Sequence, residues 1–411
     1  MKTLFFARIT LLSCVIAMFA SACGPEVVTP TDDGILKGTI SANRTLTDRV
    51  AGSGVDYIVQ GELVVNSSAV LNVEPGVTIQ FEQDASMLMI EMGALHAVGT
   101  AAKPILFTGK QATKGFWVGL FFINSDNLKN ELTYCTVEYG GSDSYLYEEG
   151  NVILGSNPYG NARLSLNNTI LRNSSSMGMY VSSDSYIDAF TNCTLTANNN
   201  APIRVESNNS DVLDVSNDYS GNTENYVLID GDPYQGQPIL RNMTWHKLNV
   251  PYGIKDDITT QKTLTLEAGV TIHGLNNSGF YVDGEGVKLG KLQVNGTATN
   301  PVIMDGKQTT AGFWNGISLW GGDAVLTYCN LNHAGSYATF DGPSQRASIV
   351  AESFYEHVSN LTMSNCSISN SAHYGVAVDS DPDAGSGGVG STFTNNGVVF
   401  TNCTDGDIYT Y

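Results

Sequence analysis

The strongest constraint on this chain is an internal duplication. Leu71 to Ile79 reads LNVEPGVTI, and Leu264 to Ile272 reads LTLEAGVTI. Each copy continues through a Gly-Thr-Ala turn, at Gly99 and Gly296, and an X-Pro strand, at Pro104 and Pro301. Near-identical loops follow, GKQATKGFW from Gly109 to Trp117 and GKQTTAGFW from Gly306 to Trp314. Both copies then reach Leu-Thr-Tyr-Cys, at Leu132 to Cys135 and Leu326 to Cys329. The offset between copies is 193 to 197 residues, and the likeness runs on from Leu164–Ser174 to Leu361–Ser371 and from Gly178–Val181 to Gly375–Val378. A tandem duplication therefore spans roughly 55–240 and 248–411.

A finer repeat lies inside each copy. Apolar alternations of three to five residues, such as Val77/Ile79/Phe81 and Leu120/Phe122, recur about every 20–25 residues between Gly or Asn turns. Period two gives each strand one buried and one exposed face. No long helical period competes with it. Strands this short cannot bury a face alone, but stacked coils can, because each strand then pairs with the coil above and below. The spacing predicts an all-β, single-stranded parallel solenoid, since propeller blades would need regular periods near 40–45 residues. Gly-rich or polar insertions at 140–160, 198–221, 336–346 and 379–390 should project as loops.

Charge narrows the partners. Only 15% of residues are charged and the net charge is −20. Nucleic acid is excluded as a partner, because phosphate recognition needs a basic footprint.

The pattern PGVTI, GT, PI-x-F, W-x-G and N-C-x-I resembles right-handed parallel β-helix proteins of the pectin-lyase-like superfamily, and among them bacterial surface lipoproteins. That resemblance implies one right-handed β-helix built from two halves, 35–247 and 248–411. At the N-terminus, Lys2 and Arg8 precede an apolar run from Ile9 to Ala20, which reads as a secretory signal peptide over 1–22. Ala20-Ser21-Ala22-Cys23 resembles a lipobox, which implies lipidation of Cys23 and leaves 23–34 as a lipid-anchored tether. The membrane is then touched through the lipid alone, and the expected location is the bacterial outer membrane or cell surface.

The remaining cysteines, Cys135, Cys193, Cys329, Cys366 and Cys403, share one Thr/Ser-(Tyr/Asn)-Cys frame and are expected to form an inward stack of free thiols. The superfamily's lyases and hydrolases imply acidic calcium ligands with an Arg or Lys base, or clustered aspartates, yet no such frame maps onto this chain. The six histidines, His96, His246, His273, His333, His357 and His373, are scattered without an evident partner. Period two run back from Leu120 and Ile317 puts Trp117, Phe121, Trp314 and Trp320 on the outer face, a flat apolar platform suited to a sugar ring. Asp379, Asp381 and Asp383 alternate like the start of a calcium loop, but Gly390 stands where the distal carboxylate belongs. No other cofactor is indicated. The reading is a non-catalytic surface β-helix that binds glycans or mediates adhesion. The alternatives are a polysaccharide lyase or glycoside hydrolase with a degenerate site, marked by two or three carboxylates converging with a basic residue, and a purely structural envelope rod.

Overall fold

The computed structural model describes residues 34–411 except 51, 53, 143–147, 156–159, 232–237, 285–289, 337–345, 355–356 and 382–389. Cys23 with its flanking leader, and Asp383, lie outside the described residues.

Short strands follow one another around a coil, and every strand–strand pairing among the described residues is parallel. In the first half three sheets alternate. Sheet one contains Val70–Val73 and Ala94–Val98, sheet two Thr78–Phe81 and Ile105–Gly109, and sheet three Ser86–Met89 and Gly119–Phe122. The second half repeats the order with Thr263–Leu266, Thr271–Gly274 and Gly279–Asp283. The architecture is a right-handed parallel β-helix. One coil takes 20 residues from Tyr252 to its partner Ile272 and 37 from Asn330 to Ser367, so loops absorb the variation while the register holds.

Alternation decides the faces. Val70–Val73 and Thr263–Leu266 both bury every second residue. The buried positions join into one continuous column running from Leu36 to Val378. Five corner residues, Tyr134, Asn192, Tyr328, Asn365 and Asn402, have φ of 46 to 55° and each precedes a cysteine. The recurring frame is thus a left-handed corner, which Asn tolerates best. Cys135, Cys193, Cys329 and Cys366 enter the core just after the turn between the first two sheets, as free thiols. Cys403 follows the strand Val399–Thr401 and stands at a different corner, half-buried, so the five do not share one phase.

The halves are not stacked in step. Ile203–Glu206 extends sheet three of the first half. It pairs with Val227–Asp230, which pairs with Tyr252–Lys255, which pairs with Thr271–Gly274. By sequence Thr271–Gly274 is the counterpart of Thr78–Phe81, a strand of sheet two. Sheet two of the second copy therefore rides on sheet three of the first. The slip occurs over 207–251, where a 3-10 turn, Ser207–Val212, follows sheet three directly. Trp245 fills the space beside it, stacked on Tyr252 at 4.8 Å with Nε1 donating to Ser210 Oγ at 2.6 Å. The stretch 198–221, expected as a projecting loop, is therefore largely part of the coil.

Candidate functional site

The tryptophans expected on the outer face are inside. Trp117 and Trp314 have no exposed surface and belong to the central column. Each indole Nε1 donates to a backbone carbonyl at 2.8 Å, Glu138 O for Trp117 and Asn332 O for Trp314. Trp117 stacks on Phe81 at 3.8 Å. Trp314 lies over Gly274, which occupies the position of Phe81, and a Cβ there would meet the indole at 2.4 Å. The expectation failed because alternation holds only inside a strand. The strands begin at Gly119 and Gly316, whose φ values of 143° and 96° turn the chain, and two residues earlier the side chain rotates into the core. Leu120, Phe122, Ile317 and Leu319 point inward as expected.

Phe121 does face outward, but it is buried in a separate apolar layer with Leu88, Ile153 and Tyr180. Trp320 is outward and half-buried, 4.6 Å from the ring of Phe354. Neither pair of residues forms an open platform. In the proposed calcium loop, the Asp379 carboxylate already accepts from the Ser353 hydroxyl at 2.5 Å and from the Asp381 backbone N–H at 3.2 Å. Among the described residues no group of three or more metal-ligating side chains gathers. The histidines are better partnered than the sequence suggests: His333 Nδ1 meets Asp305 at 2.7 Å, His373 meets Asp405 at 2.7 Å and His246 meets Glu267 at 3.0 Å.

What the sequence reading missed is a charged network on the outer face of sheet three, where the halves join. Tyr180 and Arg204 stand on adjacent rungs. One column over, Glu206, Asp230 and Lys255 occupy three successive rungs. Neighbouring rungs are about 4.8 Å apart, so these side chains are forced into contact. Arg204 donates through Nε and Nη2 to Asp230 Oδ2, and through Nη1 to Glu148 Oε2 at 2.7 Å. Its guanidinium lies 5.2 Å over the Tyr180 ring, and Tyr180 Oη donates to Glu206 Oε1 at 3.3 Å. Lys255 Nζ stands 3.7 Å from Asp230 Oδ1, which accepts no hydrogen bond from the described residues.

Burial sets the electrostatics. The Asp230 side chain is 6% exposed, that of Arg204 20% and that of Lys255 48%, so the network is reached by solvent chiefly from the lysine side. Burial, reinforced by the negative charge of Asp230, pushes the Glu206 carboxyl up to about 7. Glu148 is raised by burial, against the pull of Arg204. Burial works against the Arg204 charge, but Asp230 and Glu148 outweigh it and hold the guanidinium firmly protonated. The arrangement brings together a proton-holding carboxyl, a carboxylate clamped by arginine and two cations over a buried tyrosine. A separate hollow of about 780 Å³ near Asp48, Arg49, Thr78 and Lys103 shares no residue with it, and there Lys103 and Asp48 satisfy each other at 3.0 Å.

Residues 38–149 match the family model of the pectate-lyase like beta helix domain. The shared feature is the coil. Two solved structures also align, both of the catalytic domain of a GH87 alpha-1,3-glucanase, in single-residue variants complexed with tetrasaccharides. Each is 13% identical and covers 91% of this chain, with TM-scores of 0.28 and 0.24. This chain spans about three-fifths of their length, 61% and 60%. Superposition this loose aligns repeating coils and says nothing of a common site. No curated protein matches the chain.

Proposed function

We propose that the chain is a surface-exposed β-helix, held by a lipid on Cys23, that binds a polysaccharide along the outer face of sheet three at the junction of its halves. The observation that carries this reading is the column Glu206–Asp230–Lys255 beside Tyr180 and Arg204. Carboxylates accept from sugar hydroxyls and the guanidinium and ammonium donate to them, while the buried Tyr180 supports the site from beneath, its ring under Arg204 and its hydroxyl on Glu206. Side chains set on three successive rungs suit a linear polymer, whose weak contacts add along the stacking axis, perpendicular to the strands. The buried tryptophans take no part.

A second reading has a specific observation behind it. Glu206, held near pH 7, is matched to donate a proton to a glycosidic oxygen, and Asp230 on the adjacent rung is a carboxylate able to act as its partner. This is the convergence of carboxylates with a basic residue that marks the hydrolase alternative.

The test is a polysaccharide panel with protein starting at Gly24, run beside Arg204→Met and Glu206→Gln, with reducing ends assayed on every hit. Binding that Arg204→Met weakens at least tenfold, with no product, is the expected result. Product that Glu206→Gln abolishes would move the assignment to hydrolysis. Binding that neither variant changes would remove this face as the site.

A further inference from the structure

The outward column through Arg204 does not stop at the junction. Arg204, Leu228, Gly253, His273 and Asp305 occupy five successive rungs, each the register partner of the next. At about 4.8 Å per rung the column runs about 19 Å, from sheet three of the first copy onto sheet two of the second. Charged groups gather at both ends. The near end is the network of Arg204, Glu206, Asp230 and Lys255. At the far end His333 Nδ1 meets Asp305 Oδ1 at 2.7 Å, and Lys307 Nζ donates to Glu224 Oε2 at 2.5 Å and to Tyr226 Oη at 3.3 Å. Between the ends the column is uncharged. Leu228 is half-buried, and Gly253 leaves room for the Tyr226 ring, which a Cβ there would meet at 2.3 Å. The matching first-copy rungs carry Gln80 and Thr108 in place of His273 and Asp305, so the far cluster is not a product of the repeat.

The charges along the column are matched. Arg204 faces Asp230 and Glu148, Lys255 faces Asp230, and Lys307 faces Glu224. Burial holds His273 below its ordinary range, so it stands neutral at pH 7. A uronate, sulfate or phosphate here would have to take a cation from a carboxylate already on it. It would also bring its charge against Glu148, Asp230, Glu224 and Asp305. A sugar hydroxyl does neither, since it donates to the carboxylate and accepts from the cation of one pair. We propose, building on the glycan reading of the junction, that the polysaccharide bound there is an uncharged linear chain reaching from Arg204 to Asp305, with Lys307, Glu224 and the His333–Asp305 pair as its second contact cluster. Two clusters separated by an uncharged stretch act as linked sites, so a chain that spans both binds tighter than one that reaches only the first.

Calorimetric titration of the full chain with neutral linear glucans, mannans and galactans, from disaccharide to octasaccharide, tests this beside oligogalacturonates of the same lengths. The expected result is a neutral chain whose affinity climbs at least tenfold once it spans the column and changes little between low and high salt. Lys307→Met should remove that gain and leave short chains bound as before, whereas Arg204→Met should weaken short and long chains alike. A thermal melt shows whether Lys307→Met is folded, and Glu224→Gln is the second probe of the far cluster. Tighter, salt-sensitive binding of the oligogalacturonates would overturn the inference and leave the junction site standing. So would neutral chains whose affinity ignores both length and the far-cluster variants. Neutral chains indifferent to Arg204→Met, or no neutral chain bound, would overturn the junction reading and the inference together.

Discussion

The two copies agree inside the coil and part company outside it. Leu120 and Phe122 of the first copy face the core just as Ile317 and Leu319 of the second do, and Trp117 and Trp314 make the same hydrogen bond to a carbonyl. The outward column of sheet three reads Leu88, Phe121, Ile153, Tyr180, Arg204 in the first copy. The matching column reads Tyr281, Ser318, Val350, Ala377, Tyr409 in the second. Inward residues must fit the coils above and below, so they change only with compensation, as where the Trp314 indole lies over Gly274 in place of the Phe81–Trp117 stack. Outward residues answer to solvent, loops and ligands. The slip at the junction deepens the divergence, since each copy presents its corresponding sheet over a different one. Function is to be sought where the copies differ, and the charged network lies in such a place.

The largest effects should show the interior equivalence. Trp117→Ala and Trp314→Ala should each lose about 3–5 kcal/mol in chemical denaturation, and by similar amounts. A large loss at one site with none at the other would break the comparison. The outer face should show the opposite. Phe121→Ala removes a fully buried ring and should also cost about 3–5 kcal/mol, whereas Ser318→Ala at the matching position should cost about 1 kcal/mol or less. Near-equal losses would mean that the outer columns are as constrained as the core.

The network comes next in size. Arg204→Met leaves Glu148 and Asp230 without their cation and should destabilise by about 1–3 kcal/mol, below the figure for a fully buried pair because the side chain is partly exposed. Tyr409→Phe, on the corresponding rung of the second copy, should change stability little. The smallest effect is a slope with pH. Glu206 goes from an ordinary 4.5 to about 7 on folding, and Asp257 from 3.8 to about 6, both through burial. The folded state thus holds more protons than the unfolded one over this interval. Stability is fullest below the unfolded values and falls as pH rises toward 7. Glu206→Gln should flatten the upper part of that slope in thermal melts taken from pH 4 to 8, and a slope left unchanged would contradict the assigned environment.

Much of the fold was legible because it is written in repeated residues. The PGVTI and EAGVTI strands, the Gly turns and the Tyr-Cys or Asn-Cys corners report local geometry directly. Orientation at strand ends was not legible. Trp117 sits two residues before Gly119, beyond the reach of alternation, and only the φ of that glycine shows the chain turning. The site escaped notice for a different reason. Arg204 and Glu206 lie in a polar stretch that reads as a loop, and Asp230 and Lys255 look unrelated to them in sequence. One signal was present: Glu206, Asp230 and Lys255 are spaced by 24 and 25 residues, about one coil. Stacking turns that spacing into adjacency.

Hydrogen–deuterium exchange of the wild-type chain, with and without a polysaccharide that it retains, tests the central claim most directly. Protection gathered on 203–206, 227–230 and 252–255, and absent from the corresponding second-copy strands at 374–378 and 406–410, is the expected result. Protection spread equally over both copies, or confined to the second, would contradict the assignment of function to the charged junction.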